Sequence, residues 1–206
     1  MAVSTRYCSK SDNFWNLGSQ TPQQNATASL MVQQTSANTS HYAIVAITQN
    51  ERRALSSIAW GTMSTPKKQL ALMVGSWQGI CRTWFRPDEL ADESDVSGEL
   101  ALILGDRLLR HTYMGAMQGK PRRGEETIAF NSVAKSFQVS WFDDFHMSDG
   151  ILFSDGPKRE NGFEVFGKYA VGPDDPPWGW KTVYELIDED HLDIVAFNVT
   201  PDGQEA

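Results

Sequence analysis

Apolar and polar positions begin to keep a regular period at Pro66. Leu70, Met73 and Val74 recur at spacings of three and four, which gives one apolar stripe of a short helix over 66–74. Thr65 stands at its N-cap, Pro66 at its first position, and Gly75 ends it. From there the period shortens to two, in runs of β-branched and aromatic residues bounded by turn formers. The runs predict nine strands, at 77–85, 96–104, 108–117, 127–130, 137–142, 151–154, 163–170, 182–187 and 192–200. The connections 104–107, 118–121 and 187–191 are short and rich in Gly, Pro and Asp, as antiparallel neighbours require, and no helix is available for a parallel crossover. Many strands without helices leave a sandwich or a barrel, and a short helix running straight into the first strand favours an up-and-down antiparallel barrel plugged at one end. The charge-rich stretch 86–95 reads as a solvated loop.

The first 62 residues do not share this pattern. Residues 19–40 are dominated by Ser, Thr, Gln, Asn and Ala, with no aromatic and no charged residue, and bury too little apolar surface to offset chain entropy. A short strand at 41–47 and a weak helix at 51–60 lack partners of matching pattern. Residues 1–62 are therefore expected to be a disordered extension, or an over-translated leader ahead of an ordinary start at Met63, and dispensable in either case. Residues 63–206 are expected to be the folded domain.

Composition narrows the partners. Of 206 residues 40% are hydrophobic and 21% charged, and the formal net charge is −8. Residues before Met63 carry +2, so the remainder carries −10. An acidic domain disfavours nucleic acid and anionic membranes as partners. Two cysteines, Cys8 and Cys81, are too few for a disulfide framework or a thiolate metal site, which points to a reducing, cytoplasmic setting, with Cys81 as a small buried apolar residue. No apolar run has the length of a membrane span, and no cofactor motif is present.

Gly75-Ser76-Trp77 resembles the G-x-W signature of lipocalin and fatty-acid-binding (calycin) barrels, in which the Trp packs across the closed end. With Leu104 to Arg107, Tyr113 and Gly115, Gln118 to Pro121, Ser140 to Asp143, Asp188 to His191 and Thr200 to Gly203, the run resembles a bacterial family known as domain of unknown function 1579, over residues 69–206. The resemblance implies an all-β lipocalin-like barrel with Gly75 and Trp77 in structural roles. It also implies a final strand after the turn at Thr200 to Gly203, often ending in an Arg that stacks on the signature Trp. Only Gln204, Glu205 and Ala206 follow that turn here, so a barrel lacking its last strand, with the 192–200 edge unpaired, is the expectation.

Candidate chemistry gathers on strand five, where Trp141 and Asp143 share a face and His146 follows. Asp143 is either a cavity carboxylate, its pKa raised by a dry wall, or a turn cap. His111 shares a face with Tyr113 and is either a polar anchor or a satisfied wall residue. Trp178 in the loop 172–180 is a lid candidate, and Tyr184 and Phe197 are wall candidates. A metal site would need His111, His146 and His191 to converge from distant strands with no close-spaced ligand pair, and haem ligation by one of them, as in nitrobindin-like calycins, is an open alternative without support in the pattern, His191 lying in a turn. The leading expectation is a binding protein for a small apolar or amphipathic molecule inside the barrel. A hydrolase or isomerase using Asp143, His111 or His146, and a filled structural module, are the alternatives.

Overall fold

The computed structural model describes residues 1–11, 31–33, 42–44, 65–86, 88–147 and 149–205. Helix α1 (Pro66–Met73) begins where the Thr65 hydroxyl accepts the Lys68 N–H at 3.3 Å, and it buries Gln69, Leu70 and Met73. Each of those two apolar side chains is worth about 1.5–3 kcal/mol of burial. After Val74 the chain turns at Gly75, whose φ of +152° favours glycine and where a Cβ would lie 2.6 Å from the Lys10 side chain.

Strands β4 (Gly75–Arg86), β5 (Glu89–Ile103), β6 (Leu108–Met117), β7 (Lys120–Asn131), β8 (Ser136–Asp143) and β9 (Leu152–Gly156) form an antiparallel meander. It continues through the two-residue β10 (Lys158–Arg159), then β11 (Gly162–Tyr169), β12 (Trp178–Asp188) and β13 (His191–Val199). The β6–β7 connection is a two-residue turn with positive φ at both Gln118 (49°) and Gly119 (75°), matching the twist of its strands. Pairing of β11 with β9 at Phe166↔Asp155 and Gly167↔Ser154 joins the two ends of the sheet, giving a closed, antiparallel ten-strand barrel.

The remaining stave comes from the N-terminus. Strand β1 (Ala2–Ser11) lies between β13 and β4, with Val3, Thr5 and Tyr7 opposite Ala196, Ile194 and Leu192 on one side and Thr83, Cys81 and Gly79 on the other. Two expectations are corrected by this. Residues 2–11 are part of the barrel rather than of a dispensable extension, and the β13 edge is paired rather than bare. Alternation of Val3, Thr5 and Tyr7 supplies the inward face, and Arg6 anchors the outer one through two hydrogen bonds to Asp193 at 2.8 and 2.9 Å. Where the resemblance implies an Arg from a final strand, Lys10 of β1 stands over Trp77 instead: its Nζ lies 5.5 Å from the ring centre and donates to the Leu72 carbonyl at 3.1 Å.

Within 12–62, Met31–Gln33 (β2) and Tyr42–Ile44 (β3) pair as a separate two-stranded sheet. The weak helix expected at 51–60 and the rest of the polar tract lie outside the described residues. Two more expectations change. In the stretch 86–95, Arg86 ends β4 and residues 89–95 begin β5 rather than forming a loop, held by ladder pairing and by the ion pairs Arg82–Glu93 and Arg86–Glu89. Likewise, Trp178 and Trp180 belong to β12, so the expected lid loop is shorter than 172–180. Among the described residues no helix is long and apolar enough to cross a membrane.

Candidate functional site

Inward side chains at the α1 end are mostly apolar, Gln69 being the polar exception. Trp77 is 1% exposed, donates its indole N–H to the Met73 carbonyl at 3.0 Å and packs against Tyr7 with ring centres 6.0 Å apart. Phe137, Phe163 and Tyr184 stack in series, with ring centres 4.2 and 4.4 Å apart.

Above this packed end the interior turns polar. Register places Leu100, His111, Glu126 and Trp141 side by side on β5 to β8, and Gly98, Tyr113, Gly124 and Asp143 in the next inward row. The two glycines make room: a Cβ at Gly98 would lie 2.5 Å from the Tyr7 hydroxyl oxygen, and one at Gly124 2.2 Å from the Tyr113 ring. In that space a buried chain of hydrogen bonds crosses from β1 to β12. The network assigns the Tyr7 hydroxyl as donor to His111 Nε2 at 3.0 Å, with His111 Nδ1–H donating to Glu126 Oε2 at 2.8 Å and Tyr184 donating to Glu126 Oε1 at 2.7 Å. Burial, and after it the charge of Glu126, pushes the Tyr7 and Tyr184 hydroxyls well above the usual phenol range, so both stay protonated donors.

A cavity of about 60 Å³ lies against this chain, bounded by Val3, Thr5 and Tyr7 of β1 and by Ile194 and Ala196 of β13, with His111 and Glu126 reaching it. Its other walls are Tyr113, Arg122, Trp141, His146, Trp180 and Thr182. Trp141 and Trp180 stack with ring centres 5.3 Å apart, and His146 packs tilted against both at 5.5 and 5.6 Å. Trp141 donates its indole N–H to the Tyr113 hydroxyl at 2.9 Å. Burial, with Asp143 and Glu126 adding to it, raises the Tyr113 hydroxyl well above the usual range, so it too remains protonated.

Asp143 ends β8 and turns the chain. Its Oδ1 accepts the backbone N–H groups of Phe145, His146 and Met147 at 2.5–3.2 Å, and its Oδ2 accepts the His146 Nδ1–H at 2.7 Å. Burial alone would raise the carboxyl, but the hydrogen bond and charge of His146, with the backbone donors, outweigh it and hold Asp143 below the usual carboxylate range. Of the two readings of Asp143, its contacts fit the turn cap and not the raised carboxyl of a dry wall: local donors override desolvation. The pairing leaves His146 Nε2 buried at the cavity without a hydrogen-bond partner in the protein. Arg122, 4% exposed, is the second such group. One of its terminal nitrogens donates to the Cys81 sulfur at 3.3 Å and its head lies 5.6 Å from the Tyr113 ring centre, while its Nε has no partner.

Of the residues singled out by sequence, His111, Tyr113, Trp141 and His146 meet at this cavity, and Asp143 stands behind His146. Tyr184 stands one hydrogen bond behind Glu126. Trp178 begins β12 away from the cavity lining, which Trp180 joins in its place. Phe197 is corrected as a wall residue. It alternates with the inward Ile194 and Ala196, faces outward and carries Lys181 5.2 Å above its ring. His191 pairs with Asp188 at 2.7 Å, and among the described residues no cluster of three or more His, Cys, Asp and Glu is placed to hold a metal ion. Arg122, Glu126, Trp180, Thr182 and Tyr7 were missed. Counting back by twos from Ile128 along one strand would have reached Glu126 and Arg122.

No curated protein matches the chain. A family model described as a protein of unknown function, DUF1579, matches residues 62–206, the segment that carries α1, β4 to β13 and most of the cavity wall. By that match the chain belongs to the DUF1579 family, and its calycin-like barrel is completed here by a strand from outside the matched segment.

Proposed function

We propose that this protein binds one small polar molecule inside the barrel. The observation that carries the reading is a pair of buried donors or acceptors, Arg122 Nε and His146 Nε2, left without protein partners beside the same cavity. Leaving such a group unsatisfied costs about 1–3 kcal/mol, a cost that a ligand's polar atoms would offset. The apolar or amphipathic occupant expected from sequence suits this interior less well. A volume of about 60 Å³ accepts a molecule of a few non-hydrogen atoms, against roughly 300–1,000 Å³ for drug-sized ligands, and an acyl chain does not fit. Free thiols at exposed Cys8 and buried Cys81 suit a reducing, cytoplasmic setting for this activity.

Native mass spectrometry of the full chain, side by side with Ala196→Leu, tests the reading. The expected result is a low-mass adduct on the wild type that the cavity-filling variant loses. A bare wild-type mass, with a high-resolution crystal structure holding only water in the cavity, would overturn it.

The Asp143–His146 pair also has the form of a general base with its orienting carboxylate, which is the observation behind an acid–base enzyme as second reading. Nucleophilic catalysis is the weaker form of it, because His146 Nε2 meets no hydroxyl or thiol to activate. Turnover abolished by His146→Gln in a fold-competent protein would favour that reading over binding alone.

A further inference from the structure

We infer that the occupant carries an uncharged primary amide, its carbonyl facing Arg122 and Tyr113 and its NH2 facing His146 and Glu126. This rests on the binding reading above and names its ligand class. The polar groups left free at the cavity divide into donors and acceptors. Arg122 Nε–H has no protein partner and can only donate. Tyr113, whose oxygen accepts from Trp141, stays protonated and keeps its own hydrogen for a further acceptor. On the other side, His146 gives its Nδ1–H to the Asp143 carboxylate, and in that tautomer its unpartnered Nε2 carries a lone pair and no proton. Glu126 takes one hydrogen bond on each oxygen, from His111 and from Tyr184, and each oxygen has a further lone pair to offer. The Thr5 and Thr182 hydroxyls can donate or accept and leave that balance unchanged.

Charge points the same way. Burial opposes the Arg122 charge, but the fields of Cys81, Tyr113 and Asp143 outweigh it, and Glu126 lies on the same strand and the same inward face. An anion would add a third negative charge beside these two carboxylates and leave the His146 lone pair without a donor. A cation built only of donors would meet the acceptors and leave Arg122 Nε–H unsatisfied. A primary amide has two lone pairs on its oxygen, two hydrogens on its nitrogen and no net charge. The groups it would meet are neighbours: Arg122 lies over the Tyr113 ring, Tyr113 takes the Trp141 N–H, and the Trp141 and His146 ring centres are 5.5 Å apart. A volume of about 60 Å³ limits the occupant to a few non-hydrogen atoms, yet is several times the roughly 10–15 Å³ that one water needs.

The test titrates the full chain with molecules of one planar shape: acetamide, sodium acetate, acetamidinium chloride and acetone, with sodium chloride as the ionic-strength control. Binding is followed by the tryptophan indole N–H signals in NMR spectra and by thermal melts. At the efficiency ceiling for very small ligands, acetamide would bind with a Kd of roughly 40 µM at the tightest. The expected result is saturable one-site binding of acetamide, with acetate, acetamidinium and acetone each at least tenfold weaker. Arg122→Met removes a donor, and His146→Asn keeps an N–H for Asp143 but has no group at the Nε2 position. Each is expected to weaken acetamide at least tenfold, and Ala196→Leu, which removes no polar group, to lose binding altogether. A variant counts only if its circular dichroism and cooperative melting are retained, and having two polar variants keeps the test open should one fail to fold. Acetate, acetamidinium or acetone binding as well as acetamide would overturn the amide assignment while leaving a small-molecule site in place. Acetamide binding undiminished in the polar variants or in Ala196→Leu would overturn it by moving the contact elsewhere. No binding by any of the molecules would overturn it too, and the binding reading would then be decided separately by the native masses of wild type and Ala196→Leu.

Discussion

At the end beneath α1, Leu70, Met73, Trp77, Phe137, Phe163 and Leu192 are buried and meet largely through carbon; at the other, Arg122, Glu126, His111 and Asp143 are as thoroughly buried and meet through hydrogen bonds. The chain from Tyr7 through His111 and Glu126 to Tyr184 is the boundary between them. One barrel wall with one alternating pattern thus supports two interiors. The apolar end resembles any close-packed core, where an added or lost methylene is felt. Buried polar atoms without a protein partner occur at both ends, Gln69 Oε1 and Asn161 Oδ1 near α1 and Arg122 Nε and His146 Nε2 at the other, but only the second pair belongs to residues that line the cavity.

The largest effect is expected from removing the part both ends share. Deleting residues 1–11 strips Tyr7 and Lys10 from the Trp77 end and Val3 and Thr5 from the cavity, and bares the facing edges of β13 and β4. Loss of a cooperative urea transition, or association seen by light scattering, is the expected outcome. A monomeric truncation melting at the wild-type temperature would remove β1 from the fold.

Next comes Trp77→Ala, a truncation confined to the apolar end, which is expected to cost about 3–5 kcal/mol in urea unfolding. A loss below about 1 kcal/mol would mean that this end is not the packed one.

At the cavity end the sign should reverse. Arg122→Met replaces a buried guanidinium, whose Nε has no partner and whose one protein hydrogen bond goes to a thiol, by an apolar side chain of similar length, and is expected to gain about 1 kcal/mol, or roughly 2–4 °C in melting temperature. A destabilisation of Arg122→Met comparable to that of Trp77→Ala would erase the contrast between the two ends.

The smallest effect is electrostatic. Because the folded Asp143 carboxyl lies below its usual range, its contribution is complete above the unfolded value of about 3.9 and is lost as pH falls through the folded one. Melting temperatures of wild type and Asp143→Asn, compared from pH 6 down to pH 2, are expected to converge in acid. A constant gap across that range would show that Asp143 is not held below the usual carboxylate range.

The same contrast governs how much could be read from sequence. Strands whose inward face is apolar, such as β6 with Leu109 and β8 with Phe137 and Val139, announced themselves by period two. In β7 the signal stopped at Thr127 because Lys120 to Glu126 is polar on both faces: its outward residues meet solvent and its inward ones, Arg122 and Glu126, meet the cavity. The functional half of that strand was hidden by the property that makes it functional. Hairpin β4–β5 was read short for a different reason, since its tip is held mainly by ladder bonds and exposed ion pairs that leave no apolar trace. β1 carried the right alternation, but a long polar tract separates it from every strand it touches, and pairing across such a distance has no local signature.

That distance sets an order of events in the cell. Tyr7 pairs with Leu192, 185 positions later in the chain. A ribosome adding about 5–20 residues per second leaves β1 waiting roughly 10–40 s for β13 to be made. Strand β1 can pair with β4 once residue 86 is made, but its other edge stays open until β13 arrives, and the long-range pairing that closes the ring is the slow kind, because a large loop must be ordered before any contact rewards it. A strand made early can therefore keep one unpaired edge until late, and in a crowded polysome the open β1 edge of one nascent chain can meet the β13 of another before its own is ready.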